Sequence, residues 1–203
     1  MIYSGFIQDH LNDRQQGLDH LNYYYFENKF NDDECNFIRD YCDNNLELNR
    51  AIVFSGGDLN NHEDYRKSNV GWLNYNDETS FIYERLGECV NESNNIWKFD
   101  LCGMNECIQF TRYEGNENGR YDQHIDLGGN CHYRKISIIL QLCDDKEYEG
   151  GDFLVWSGKD PYHLPKNKGT VICFPSFLLH QVNPVTSGRR ESLVCWVSGP
   201  PFR

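Results

Sequence analysis

The chain has 203 residues, a formal net charge of −12, and 39% hydrophobic and 14% aromatic content, which suits one folded domain burying roughly two thirds to three quarters of its unfolded surface. Nineteen basic against 31 acidic residues repel phosphate backbones and argue against a nucleic-acid partner; the same balance suits steering of a basic peptide or protein, or plain solubility. No apolar run approaches the ~18 residues of a membrane helix, and residues 1–19 lack the basic start and apolar stretch of a signal peptide, so no membrane partner and a cytoplasmic location are expected.

Taken in chain order, the first helix signal is Asn31-Asp32-Asp33-Glu34. It supplies a capping residue with Glu three positions on, acids in the first turn, and apolar Ile38, Tyr41 and Cys42 at helical spacing. This helix should end near Asn44. Short strands are expected at 51–54 and 70–73. A second helix is expected from Asn76 or Asp77, carrying Ile82, Leu86, Cys89 and Val90 on one side and fading at Asn94.

From Leu101 the texture changes to short β-branched and aromatic runs separated by Gly, Asn, Asp and Pro, the pattern of a sandwich or barrel. Strands are expected at 108–113, 121–125, 135–142, 152–155, 170–174, 181–185 and 192–197. Consecutive strands without intervening helices make a jelly roll, whose two sheets can enclose a small ligand. The expected fold class is therefore mainly β (α+β): a double-stranded β-helix of cupin-like form with supporting N-terminal helices. A single domain over 1–203 is expected, with 1–100 a helical support region and 101–203 the jelly-roll core.

His124-Ile125-Asp126 carries the chemistry. Residues two apart in an extended strand face the same way, so this strand can present an imidazole and a carboxylate side by side. If His180 arrives from a neighbouring strand, two histidines and one carboxylate occupy one face of an octahedral ion and leave other positions open, as in non-haem Fe(II) oxygenases. Arg190 and Ser192 also share a strand face. A guanidinium grips a carboxylate by two parallel hydrogen bonds, which makes 2-oxoglutarate the natural co-substrate.

Other features read as structural. His10, His20, His62, His132 and His163 lack such company and are read as non-ligands. The nine cysteines, at 35, 42, 89, 102, 107, 131, 143, 173 and 195, show no C-x-x-C pairing and read as reduced, mostly buried residues. Glu149-Gly150-Gly151-Asp152 reads as a tight turn needing positive φ. Trp72 and Trp156 read as packing residues.

Several stretches together resemble the Fe(II)- and 2-oxoglutarate-dependent dioxygenases, in the prolyl-4-hydroxylase-like branch that includes the PKHD-type hydroxylases. They are Tyr113-Glu114-Gly115, Tyr121-Asp122-Gln123-His124-Ile125-Asp126, Arg134-Lys135-Ile136-Ser137, Glu149-Gly150-Gly151-Asp152, Phe174-Pro175-Ser176 with His180, and Gly188-Arg189-Arg190-Glu191-Ser192-Leu193 leading to Trp196. The likeness is close from about Ile108 onward and weaker upstream, around Arg66-Lys67-Ser68-Asn69-Val70. The resemblance implies that His124, Asp126 and His180 bind iron, that Arg190 holds the distal carboxylate of 2-oxoglutarate with Tyr113 as second donor, and that Arg134 and Trp196 contact substrate. One departure is the loop Asn116 to Arg120, slightly longer than the family pattern.

What the resemblance implies is an enzyme that uses Fe(II), 2-oxoglutarate and O2, with ascorbate as reductant, to hydroxylate an unactivated C–H bond and release succinate and CO2. The substrate it points to is a prolyl residue of a peptide or protein. Because related halogenases lack the carboxylate ligand, Asp126 favours hydroxylation. Three alternatives stay open: a small-molecule hydroxylase of the same family, a non-catalytic module that only binds metal and 2-oxoglutarate, and a zinc hydrolase, against which Arg190 speaks. Oligomeric state has no signature in the sequence.

Overall fold

The computed structural model describes residues 22–55, 58–60 and 63–202; His10, His20, His62 and the first 21 residues lie outside them. Among the described residues, two helices, α1 (Asp32–Asn45) and α2 (Ser80–Trp97), accompany fifteen strands. The strands are β1 (Tyr24–Phe26), β2 (Asn49–Arg50), β3 (Val53–Ser55), β4 (Asp58–Asn60), β5 (Arg66–Lys67), β6 (Asn69–Leu73), β7 (Ile108–Glu114) and β8 (Arg120–His124). They continue as β9 (Arg134–Gln141), β10 (Tyr148–Gly150), β11 (Phe153–Trp156), β12 (Tyr162–His163), β13 (Val171–Pro175), β14 (Leu179–Val182) and β15 (Val185–Ser198).

The strands form a double-stranded β-helix. Its larger sheet runs β1-β13-β9-β15-β7-β6-β2 with β10 also on β15, its smaller sheet runs β12-β11-β14-β8-β5, and β3 pairs with β4 alone. The N-terminal half therefore contributes strands to both sheets: β6 joins β7 and β5 joins β8.

Strand alternation separates two packed layers. On β9, Ile136, Ile138 and Leu140 face a core built with Ile38 and Cys42 of α1 and Ile82, Leu86 and Cys89 of α2. Ile139 faces the other way, into a cluster with Tyr113, Phe153, Phe174 and Val182 between the sheets. On β15, Leu193, Cys195 and Val197 take the helix side, whereas Arg190, Ser192, Val194 and Trp196 line the cavity between the sheets.

The α1 start is as expected: Asn31 and Glu34 form a reciprocal capping box, each side chain accepting from the other's backbone N–H at 2.9 Å. The α2 start is later than expected, at Ser80. Asn76 Oδ1 accepts from the backbone N–H of Glu78 and of Thr79 and folds 76–79 into a turn. Strand β14 covers Leu179–Val182 rather than 181–185, because Pro184 has no N–H to extend the ladder. Glu149-Gly150-Gly151-Asp152 is not the tight turn expected: Glu149 and Gly150 end β10, with a register shift between them, and Gly151 and Asp152 link it to β11, although both glycines take the expected positive φ, 73° and 63°.

All nine cysteines are free; Cys102 is exposed, Cys107 and Cys131 are half-buried, and the other six are buried. No helix among the described residues is long and apolar enough to cross a membrane.

Candidate functional site

Strands β8 and β14 run antiparallel with His180 directly opposite His124, and a register shift follows between His180 and Val182. The two rings lie 4.0 Å apart between centroids. Each turns Nδ1 to a carbonyl two residues back along the chain, His124 to Asp122 and His180 to Leu178, both at 2.8 Å. A carbonyl only accepts, so Nδ1 carries the proton, and Nε2 keeps its lone pair for a ligand.

Asp126 corrects one expectation. The strand ends at His124, so the carboxylate does not share a strand with that imidazole. It stands on the bend that follows, where the Asp126 and Leu127 N–H groups both donate to Ser176 O at 3.0 Å. The bend nevertheless brings Asp126 Oδ1 to 3.9 Å from His124 Nε2 and Oδ2 to 3.4 Å from His180 Nε2. The three donor atoms all lie within 4.8 Å of one another. An ion holding its ligands at about 2.1 Å spaces neighbouring donors about 3 Å apart, so a small contraction closes the shell.

The protonation states fit a divalent cation. Burial, and then the neighbouring His180 ring, push the His124 imidazole down to about 3, so it is neutral near pH 7. Burial by itself would raise the Asp126 carboxyl. The adjacent His180 and His124 rings and the Ser137 hydroxyl outweigh it and hold the group ionised well below the usual carboxylate range. Ser137 Oγ donates to Asp126 Oδ2 at 2.6 Å and lies 2.9 Å from Ser176 Oγ. Two imidazoles and one carboxylate with an open side match a facial Fe(II) site.

Arg190 supplies the second half. It is 1% exposed and donates from Nη2 to Gln141 Oε1 at 2.9 Å. Its Nε has no hydrogen-bond partner among the described residues. A buried guanidinium with an unused N–H, bordering a cavity, fits the carboxylate of an incoming diacid. Tyr113 faces Arg190 across β7 and β15, with the guanidinium carbon 5.5 Å from the Tyr113 ring centroid. Gly151 sits against this side chain: a Cβ there would come within 3.0 Å of Arg190 Cδ.

All eight residues singled out from the sequence line one cavity of about 570 Å³: Tyr113, His124, Asp126, Arg134, His180, Arg190, Ser192 and Trp196. Arg134 stacks over Trp196 at 3.7 Å and pairs through Nε with Glu106 at 2.8 Å. Trp72, expected as a packing residue, is 46% exposed and borders the same cavity. Sequence reasoning missed Ser137, Ser176 and Gln141, three polar residues buried in otherwise apolar strands or at their ends. It also missed Tyr121, whose ring stacks on His124 at 3.4 Å and 16°. For Ser137 and Gln141 the signal was available: both interrupt the apolar run 136–142 at cavity-facing parity with Ile139.

Comparison with known proteins agrees with this geometry. Residues 108–198 match the 2OG-Fe(II) oxygenase superfamily. A PKHD-type hydroxylase of Synechococcus sp. (strain CC9311) is 38% identical over 130 residues, 62% of this chain and 57% of that protein. One from Pseudoalteromonas atlantica is 35% identical over 96 residues, 44% of this chain and 41% of that protein. The chain thus spans about half the length, or less, of these curated relatives. Among solved structures, a Pseudomonas putida prolyl-4-hydroxylase superposes with a TM-score of 0.70 at 18% identity, covering 90% of this chain and 95% of that one. A Trichoplax adhaerens prolyl hydroxylase, in complex with a hypoxia inducible factor oxygen degradation domain peptide fragment, gives 0.68 at 14% identity over 97% and 94%. At such identities these two speak for the fold.

Proposed function

We propose that this chain, whose residues 108–198 match the 2OG-Fe(II) oxygenase superfamily, is an Fe(II)- and 2-oxoglutarate-dependent dioxygenase that hydroxylates an unactivated C–H bond, with a prolyl residue of a peptide or protein as substrate. One observation carries the reading. His124, Asp126 and His180 converge in the same cavity as a buried arginine with an unused donor.

His124, Asp126 and His180 would hold the metal. Ferrous iron would supply there the coupled oxidation of 2-oxoglutarate to succinate and CO2 and of the substrate C–H to C–OH by O2. The protein's own groups position and protect. Arg190, with Tyr113 and Ser192 beside it, receives the far carboxylate of 2-oxoglutarate and so aims its keto-acid end at the metal ligands. Ser137 fixes the Asp126 carboxylate, leaving Oδ1 free of it. Phe153 and Phe174, packed against His180 with centroids at 5.9 and 4.9 Å, exclude water from that side. Arg134 and Trp196 form the wall where substrate would lie.

The prolyl choice leans on the prolyl hydroxylases among the similar structures and on the aromatic lining from Tyr113, Tyr121, Trp72 and Trp196. Nine free thiols and a ferrous centre suit a reducing, cytoplasmic setting. The test combines two assays. His124→Ala and Asp126→Ala should each abolish 2-oxoglutarate-dependent succinate formation, measured with Fe(II) and ascorbate present. Proline-containing peptides incubated with the parent chain should gain the mass of one oxygen atom only when 2-oxoglutarate is added. Full succinate formation in either variant would refute the metal assignment. Oxygen gain by small molecules alone would move the substrate to the small-molecule class.

A further inference from the structure

Although the chain carries a net charge of −12, its cavity is lined by three arginines, Arg66, Arg134 and Arg190, and their counter-charges differ. Arg134 is committed to Glu106. Arg190 has the far carboxylate of 2-oxoglutarate. Arg66 remains. On β5 its Nε donates to Ser68 Oγ at 3.0 Å and its Nη2 to Gln109 Oε1 at 2.9 Å. Both acceptors are neutral and belong to buried residues, so they fix the direction of the guanidinium without neutralising it. Among the described residues no carboxylate pairs with Arg66.

Its place is as informative as its charge. The Arg66 guanidinium carbon lies 4.4 Å from the centroid of Tyr121, and Tyr121 in turn stacks on His124 at 3.4 Å. An anion received by Arg66 therefore stands two stacked layers from a metal ligand. That is the distance scale of a group neighbouring the reacting carbon, not the reacting group itself. A guanidinium held open in a pocket by neutral partners is a receptor for a planar anion.

We propose that Arg66 recognises a carboxylate on the substrate and, through it, sets which carbon faces the metal site; this rests on the oxygenase reading above. The substrate class is an acidic one, against the basic partner that net charge alone suggests. Two sources share the chemistry: an acidic side chain beside the target residue in a peptide, or the carboxylate of a free acid. A purely structural Arg66, serving only to hold Gln109, would not distinguish acids from their amides.

Matched pairs test this: the N-acetyl Pro-Glu amide against the Pro-Gln amide for the side-chain source, and N-acetylproline against N-acetylprolinamide for the free acid. Each is titrated by calorimetry into the full chain with and without Zn(II) and 2-oxoglutarate. The acid of at least one pair should bind about tenfold or more tightly than its amide, the scale of one charge-assisted hydrogen bond. That gap should vanish in Arg66→Gln and persist in part in Arg66→Lys, with 2-oxoglutarate affinity unchanged in both. Equal affinity within both pairs, absence of binding included, overturns the proposal, as does a gap that survives in Arg66→Gln. Failure of the parent chain to bind 2-oxoglutarate would instead sink the oxygenase reading, and the titrations without it still decide Arg66.

Discussion

Ser137 and Asp126 are joined by a 2.6 Å hydrogen bond that crosses from β9 to the bend after β8. The bond restrains a carboxylate that no strand holds. Its backbone is held by the shared contact of Asp126 and Leu127 N–H with Ser176 O, and Ser176 Oγ in turn lies 2.9 Å from Ser137 Oγ. Two hydroxyls and one carbonyl thus do for Asp126 what a ladder does for the two histidines.

Ser137→Ala should consequently weaken metal binding by about 10- to 100-fold, the usual cost of losing a group that orients a ligand. The fold should survive, because the alanine leaves a small apolar surface in an apolar strand. Metal affinity measured by competition with a chromophoric chelator checks this. An unchanged affinity would mean that Asp126 is held adequately by its backbone alone.

Arg190 and Gly151 make a second pair. Arg190→Gln removes the charge that would meet the distal carboxylate and should raise the Kd for 2-oxoglutarate by about 10- to 100-fold, corresponding to roughly 1.5–3 kcal/mol for a hydrogen bond to a charged group. Gly151→Ala should act in the same direction from outside the site. Its new methyl would meet Arg190 Cδ at 3.0 Å and Val185 Cγ2 at 2.9 Å on a backbone whose φ is 63°. Direct 2-oxoglutarate titration of both variants decides it; an unperturbed Gly151→Ala would show that the arginine can shift without loss.

How much of this was legible in the sequence depends on what carries each residue. Arg190, Ser192 and Trp196 were legible as one face because β15 is a single fourteen-residue strand along which parity holds. His124 with Asp126 was legible as a pair although the strand stops between them, since one further extended step and a bend give nearly the same direction. Ser137 with Ser176 was not, because 39 residues separate two hydroxyls whose only signal is a polar atom in an apolar run. Strands of two or three residues, such as β1, β5 and β12, exist through their partners' hydrogen bonds and have no internal period to read. Arg66 reached the cavity on one of these.

Glu191 faces away from Arg190, toward α1, and is 2% exposed. It accepts from Arg39 Nε and Arg112 Nε, each at 2.6 Å, and Asp43 completes the set from α1 by accepting from Arg112 Nη2. Glu191→Ala would leave two guanidinium groups facing each other without their shared anion, costing about 3–5 kcal/mol. Glu88→Gln, which breaks the exposed pair with Lys29, should cost about 1 kcal/mol or less. Urea denaturation of both variants gives the comparison. Equal losses would mean that solvent reaches the Glu191 network.

The thiols give a pH dependence whose sign is fixed. Burial pushes Cys35, Cys42 and Cys89 up to about 12, against about 8.5 for an unfolded chain. Between those values the unfolded chain has lost thiol protons that the folded chain keeps, so stability is full below about pH 8.5 and falls as pH rises toward 12. Each such thiol contributes at most about 1.4 kcal/mol per pH unit. Cys89→Ala should therefore flatten the alkaline limb of a stability-versus-pH curve, apart from any constant loss of packing. The same burial protects these groups chemically: at pH 8 a thiol-exchange reagent should modify Cys102, Cys107 and Cys131 quickly and the other six only at the rate of unfolding. Fast modification of Cys89 in the native state would place it in a solvent-open pocket and remove its share of the alkaline loss.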